Sequence, residues 1–444
     1  MEEKLKEERT LKLPHVVWLT LGSLVGAGLV TITGQAAAET GYSVWLAYLI
    51  AIILGFVAVI PYFIAAGTAV LDGGMYTTNA LFGHPVLGGL TAINSIPVVI
   101  GQANVAIGLG IYIKAMFPGV SAFIISVLFV IIFYIFNMLG VDMLTKVQKY
   151  MMYILLTGLF IFCVYAFKNF NIEAINFRGE KFFTKGFLGF AIATNMLSFS
   201  TQCYYNALSF SKYTINPKKT VLKGMILTVP LLIIVYVGVT LAAAGAISIE
   251  AFSGKTLADI AREIMPRTVF MLFTIFGPAM ALATTLNGNM SSMSLNLQPA
   301  ANDGWLPKFL GKKTSKGVPY AAVTLVTILI LVPVLFDMSI SLITNNVMIF
   351  TNVMLLVPFY SIWNIPKKFP ELWKKSEAYM NPLKFNIVMG ISLVARIILV
   401  AFSLVSLSLN NLILNLIAVV VIVLFCIVRY KTGKVSMKPE YSEE

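Results

Sequence analysis

Gly22-Ser23-Leu24-Val25-Gly26-Ala27-Gly28 lies inside the first hydrophobic segment, Pro14 to Ala38, and its reading decides the fold. The segment is long enough to cross a bilayer, since about 20 apolar residues match a hydrocarbon core of roughly 30 Å. Each glycine lowers helix stability by roughly 1 kcal/mol relative to alanine, so this run marks where a membrane helix opens. An opened helix exposes backbone amides and carbonyls, which hydrocarbon tolerates only where the irregular segment is buried in protein or lines a water-filled cavity. A broken first helix is therefore a candidate binding site.

The composition fits a chain solvated by lipid: 58% of the 444 residues are hydrophobic and 11% are charged, against about 25% charged in an ordinary soluble protein. Apolar stretches recur at 14–38, 43–67, 86–115, 121–140, 147–167, 187–210, 221–247, 268–297, 319–336, 340–363, 385–407 and 410–430. These predict an all-α integral membrane protein with twelve transmembrane helices, numbered here as spans one to twelve. The single membrane domain covers 14–430, between a charged tail at 1–13 and a second tail at 431–444. The first tail has no apolar stretch before a cleavage site and does not read as a removable signal peptide.

Most of the 32 lysines and arginines fall in segments on the same side as the N-terminus. Short cytoplasmic loops carry that excess, so both termini are expected in the cytoplasm of a plasma-membrane protein. The net charge of +13 follows from this topology and from attraction to anionic lipid, and no nucleic-acid partner is expected. Cys163, Cys203 and Cys426 fall in apolar spans, too few and scattered for a disulfide framework or a zinc cluster.

Some transporter folds contain two halves of inverted topology, with interrupted segments in corresponding places that meet at the midplane. Span six should then be broken as well. It holds the polar run Ser198-Phe199-Ser200-Thr201-Gln202-Cys203, beginning about as far into its span as Gly26 does in span one. Cross-helix hydrogen bonding and close glycine packing explain either segment alone; their matching placement favours a binding site.

Further elements extend the pattern. Gly73-Gly74-Met75-Tyr76 is followed by Phe82-Gly83 and Gly88; Asn137, Gly140, Val141 and Gln148 bridge spans four and five. Asn216-Pro217-Lys218 follows span six, and Asn287-Gly288 precedes Asp303-Gly304-Trp305-Leu306-Pro307 and Gly317-Val318-Pro319. In this order, over about residues 14 to 325, the series resembles the amino acid-polyamine-organocation superfamily of secondary transporters. The resemblance implies a 5+5 inverted repeat (about 14–167 and 187–363) with discontinuous helices one and six, plus two appended helices at about 385–430.

The resemblance also implies a site. Ser23 to Gly28, including Gly26 and Ala27, would bind the substrate carboxylate through backbone amides, as freed N–H groups at a half-helix N-terminus favour an anion. Ser200, Thr201, Gln202 and Cys203 would turn carbonyls toward the amine, so an amino acid is the expected small-molecule substrate. Many members carry an acidic residue where this chain has Tyr205, which disfavours cationic substrates such as arginine or polyamines. Phe199 and Tyr205 suit a neutral side chain.

Other members place a lysine where Leu155 stands, leaving room for a real coupling cation or for none. In related sodium-coupled folds the ion lies between helix-one carbonyls and helix-eight oxygens. The corresponding positions are Gly22 and Val25 with Thr284, Thr285, Asn287 and Asn289; Ser291 and Ser292 extend the set. Sodium or a proton is the expected coupling ion, and no other cofactor is expected. Pro299, with no arginine beside it, marks a divergent branch.

Gln102 and Asn104 make span three unusually polar and either line the pocket or bridge helices. Arg396 is the clearest ionisable residue within a span and is expected to serve structure or an oligomer contact. His15 and His84 fall at span boundaries. An embedded enzyme would need convergent catalytic groups and a channel rings of charge or carbonyls; neither pattern occurs. The expectation is a secondary amino acid transporter working by alternating access. An uncoupled exchanger and a non-transporting sensor of the same fold remain as alternatives.

Overall fold

The computed structural model describes residues 9–26, 28–168, 170–315, 317–405, 407–437 and 441–442. The described chain is almost entirely helical, with eight helical stretches long and apolar enough to cross a membrane. The count differs from twelve for physical reasons. Spans one and two follow each other within Leu13–Ala58 and count together as one stretch. Spans four and nine are the shorter helices Ala122–Met138 and Tyr320–Leu335; at about 1.5 Å per residue they fall a few ångströms short of the hydrocarbon core. Span six is divided into short pieces.

The first span is helical over Leu13–Leu24, extended at Val25 (φ −76°, ψ 94°), π-helical over Gly28–Ile32 and helical again over Thr33–Thr40. Gly22 and Ser23 are therefore helical, and the break begins at Val25 rather than at the first glycine. Ala27 lies outside the described residues. Span six is helical over Gly186–Ser198, and Gln202 separates two 3-10 segments, Phe199–Thr201 and Cys203–Tyr213.

Other spans also carry interruptions. Span two runs as Val44–Ala58 and Ile60–Thr68, with Pro61 at the start of the second piece. Span three runs as Pro85–Ile100 and Ala103–Met116, bent at Gly101 and Gln102. Span eight is π-helical over Ile275–Ala279 around Pro278 before the long helix Met280–Asn302. Proline removes a helical N–H and crowds the preceding turn, which accounts for the interruptions beside Pro61 and Pro278.

Span seven, Pro217–Ala246, packs on both Leu13–Leu24 and Val44–Ala58. The inner helices share one apolar core, in which Leu21, Tyr48, Leu155, Tyr236 and Leu286 are fully buried. Span twelve, Leu409–Lys431, instead exposes Leu409, Leu414, Val421 and Val428. Exposed aliphatic residues on a membrane helix are what lipid tails solvate as well as protein does.

Both ends of the described chain reach one face. Leu11 bridges to Thr214, the Ser211 hydroxyl donates to the Leu71 carbonyl, and Val70–Leu71 pairs antiparallel with Tyr441–Ser442. Next to this pairing, Gly73 (φ +90°) and Gly74 (φ +49°) turn the chain into Gly74–Thr78. That left-handed backbone is readily adopted only without a Cβ, which explains the paired glycines of the loop.

Candidate functional site

The two breaks face each other. A Cβ on Gly28 would overlap the Cβ and Oγ of Ser200, and one on Gly26 would overlap the Thr285 hydroxyl. Glycine at these positions lets span one approach spans six and eight at backbone distance. Gly26, Gly28, Ser200 and Thr201 are all buried.

Tyr236 of span seven connects the breaks. Its hydroxyl lies 2.6 Å from the Leu24 carbonyl and 3.4 Å from the Ser200 carbonyl. These acceptors lost their helical donors when each span opened, and in hydrocarbon an unpaired carbonyl is costly. Tyr48 stacks edge-on against Tyr236 with ring centroids 4.8 Å apart. Sequence reasoning missed Tyr236, because one tyrosine in an apolar span carries no motif.

The remaining candidates divide by what they touch. Ser23 bonds the Leu19 carbonyl of its own helix at 2.9 Å, and Ser200 bonds Leu197 at 2.9 Å. Thr201 reaches the Ala51 carbonyl of span two at 3.0 Å. Cys203 lies 3.9 Å from the Tyr205 hydroxyl, and Tyr205 packs on Tyr62. Phe199, at the start of the 3-10 segment, is 48% exposed, unlike the buried Ser200 and Thr201 beside it.

Around Thr285 the geometry is rich in acceptors. Its hydroxyl lies 3.2 Å from the Gly22 carbonyl, 3.3 Å from that of Val25 and 3.0 Å from that of Ala281. A hydroxyl donates one proton, so the cluster holds more acceptors than the hydroxyl can serve. Thr284 instead bonds Ala281 at 2.9 Å.

Asn287 and Asn289 do not join that cluster. Asn287 donates to Gln148 Oε1 at 2.8 Å, while Gln148 Nε2 donates to the Thr284 carbonyl at 3.3 Å. Asn289 donates to Gln102 Oε1 at 2.8 Å and accepts from Asn206 at 2.8 Å. Gln102 thus bridges spans three and eight, and Asn206 extends the bridge to span six. Buried amides pair with each other because leaving one unmade costs about 1–3 kcal/mol.

On the side away from the chain ends, the second half of span one is covered. Gly34 accepts from the Gly254 amide at 2.8 Å, Tyr42 and Ser43 donate to Lys181 and Phe182 at 3.0 and 2.9 Å, and Tyr112 reaches Val30 at 3.0 Å. Glu250 and Lys181 pair at 2.6 Å there; the ammonium holds the Glu250 carboxyl below its ordinary range and the carboxylate raises Lys181. On the side of the chain ends, a cavity of about 310 Å³ is lined by Thr10, Asn137, Asp142, Tyr213, Ser291 and Ser294, among others. Asp72 pairs with Lys212 at 2.9 Å and Lys313 at 3.7 Å on the same side.

Arg396 is fully buried, which leaves it no part in an oligomer contact. It donates to Gln202 Oε1 at 2.6 Å, at the break of span six.

The chain is 23% identical, over 328 residues, to an uncharacterized protein of Methanocaldococcus jannaschii; the match covers 69% of this chain and 72% of the relative. The amino acid permease family model matches residues 15–443, a range that takes in both breaks and all the spans around them. The chain therefore belongs to the amino acid permease family.

Proposed function

We propose that the protein is a secondary active transporter that carries an amino acid with a neutral side chain, or a similar small zwitterion, across the plasma membrane by alternating access. One observation carries this reading: the buried breaks of spans one and six lie against each other at Gly28 and Ser200. The half helix that starts at Gly28 offers N–H groups with no preceding turn to bond, which suits a carboxylate. The end of Gly186–Ser198 places the negative end of its dipole beside the break, which suits an ammonium. Tyr205 in place of an acid supports a neutral side chain.

In this reading the membrane domain, 14–430, has twelve crossings arranged as two inverted repeats plus spans eleven and twelve, with both tails cytoplasmic. Spans one, two, six and seven rock as a bundle against spans three, four, eight and nine. The covered outer half of span one and the cavity beside Thr10 correspond to a state closed outside and leaning open inside.

The acceptor cluster around Thr285 supports sodium as the coupling ion, since hard cations take oxygen ligands; Gly22, Val25 and Thr285 would hold it. Uncoupled exchange is the second reading, favoured by the Thr285 hydroxyl, which as a donor already serves one of those carbonyls.

A thermal-shift screen of the amino acids on purified protein, followed by uptake into proteoliposomes with and without a sodium gradient, tests these points. Stabilisation by a neutral amino acid and saturable uptake are expected. Absence of any stabilising amino acid overturns the proposal, and binding without flux identifies a sensor.

A further inference from the structure

Span eleven, Pro382–Val405, lies outside the two proposed repeats, yet two of its side chains enter the broken helices. Ser392 and Arg396 are one helical turn apart and so share a face. Pro61 has no N–H, so the Val57 carbonyl four residues before it lacks its regular helical donor and is approached instead by the Val59 amide of the irregular turn. The Ser392 hydroxyl donates to that carbonyl at 2.6 Å. The Tyr62 amide turns to Val59 at 3.0 Å instead of Ala58. Arg396 takes the freed Ala58 carbonyl at 3.4 Å.

The same guanidinium binds span six. Arg396 donates to Gln202 Oε1 at 2.6 Å, and Gln202 Nε2 donates to the Ser198 carbonyl at 2.8 Å. Gln202 separates the two 3-10 segments, and Ser198 ends the preceding helix. Ala395 and Leu399 complete the contact by packing on Ala58 in a small buried cluster. One side chain therefore caps the interruption in span two and fixes the break in span six. A planar fork with several donors can serve both places, which an ammonium on a flexible stem cannot do as well.

We propose that Arg396 is a positioning residue that holds the span-six break in its binding geometry, and that span eleven travels with the moving bundle through Ser392 and Arg396. This rests on the transporter reading above. A span fixed to span two through two backbone carbonyls and to span six through the Gln202 side chain must move with them or break those bonds in each cycle.

The test has two parts, both in proteoliposomes containing the full chain. Arg396→Met should raise KM for the transported amino acid about tenfold, the worth of one charge-assisted hydrogen bond, with a smaller change in kcat. Arg396→Lys should recover part of that loss. A fall in kcat at unchanged KM overturns the positioning role.

The second part does not depend on those variants folding. In a background that keeps Cys203 but lacks Cys163 and Cys426, Ala58→Cys and Ala395→Cys are bridged by a flexible bifunctional thiol reagent, with the same reagent on that background alone as the control. Transport should persist after bridging. Arrest by the bridge, with flux intact before it, overturns the shared motion of spans two and eleven. Absence of flux in the unmodified protein would instead count against the transporter reading itself.

Discussion

The Tyr236 hydroxyl donates to the Leu24 carbonyl at 2.6 Å, a bond between the middle of span seven and the last helical residue before the break in span one. The Ser200 carbonyl of the other break lies 3.4 Å from the same oxygen, an alternative acceptor for its one proton. Tyr236→Phe keeps the ring and its packing but leaves these carbonyls unserved, at a cost of about 1–3 kcal/mol. The variant should melt at a lower temperature and bind its amino acid more weakly; an unchanged melting curve and affinity would remove Tyr236 from the site.

Gly28 tolerates no side chain while Ser200 stands opposite. Gly28→Val should abolish ligand-induced stabilisation in the thermal-shift assay while membrane insertion remains normal. The overlap is with the Cβ and Oγ of Ser200, so Gly28→Ala combined with Ser200→Gly should recover the ligand-induced stabilisation that Gly28→Ala alone weakens. Normal uptake by Gly28→Val would refute the placement of the breaks.

Thr285 separates the two coupling readings. If sodium sits among the Gly22, Val25 and Thr285 oxygens, sodium chloride should stabilise the protein more than choline chloride does, and Thr285→Val should erase that difference. Equal stability in both salts, with exchange intact, would favour the uncoupled mechanism.

The exposed ion pair of Glu250 and Lys181 has a definite pH sense. The folded state lowers the Glu250 pKa, so its contribution is fully present above the unfolded carboxylate pKa and is lost as pH falls through the depressed value. A Glu250→Gln variant should therefore differ from the parent near neutrality and converge with it in acid. The pair is exposed and solvent-screened, so the effect should be read as a difference between two melting curves, and a gap that widens in acid would contradict the assignment.

The interrupted first helix was legible in the sequence because glycines report backbone needs directly. Its exact start was not: the chain stays helical through Leu24 because Gly22 and Ser23 sit in a turn that packing against Gln148 and Gly288 preserves. The polar run of span six was legible as a break, but the exposure of Phe199 beside the buried Ser200 depends on a local 3-10 winding that residue types do not encode. Asn287 and Asn289 looked like ion ligands by composition alone. Both ends of the Asn289 amide are paired with Gln102 and Asn206, whereas Asn287 donates to Gln148 and keeps its Oδ1 buried without a partner among the described residues; these partners lie more than 80 residues away in sequence. Arg396 was visible as an anomaly, whereas its role depends on carbonyls that only the tertiary fold delivers.

The short pairing of Val70–Leu71 with Tyr441–Ser442 joins the last described residues to the loop that follows span two. Amides held in such a ladder exchange with deuterium only when the ladder opens. Exchange of the ladder amide within Val70–Leu71 thus provides a clock for the face that carries the chain ends. If that face parts in every transport cycle, adding the transported amino acid should speed labelling there while leaving the buried amides of Met280–Asn302 slow, giving a readout of turnover that needs no labelled substrate.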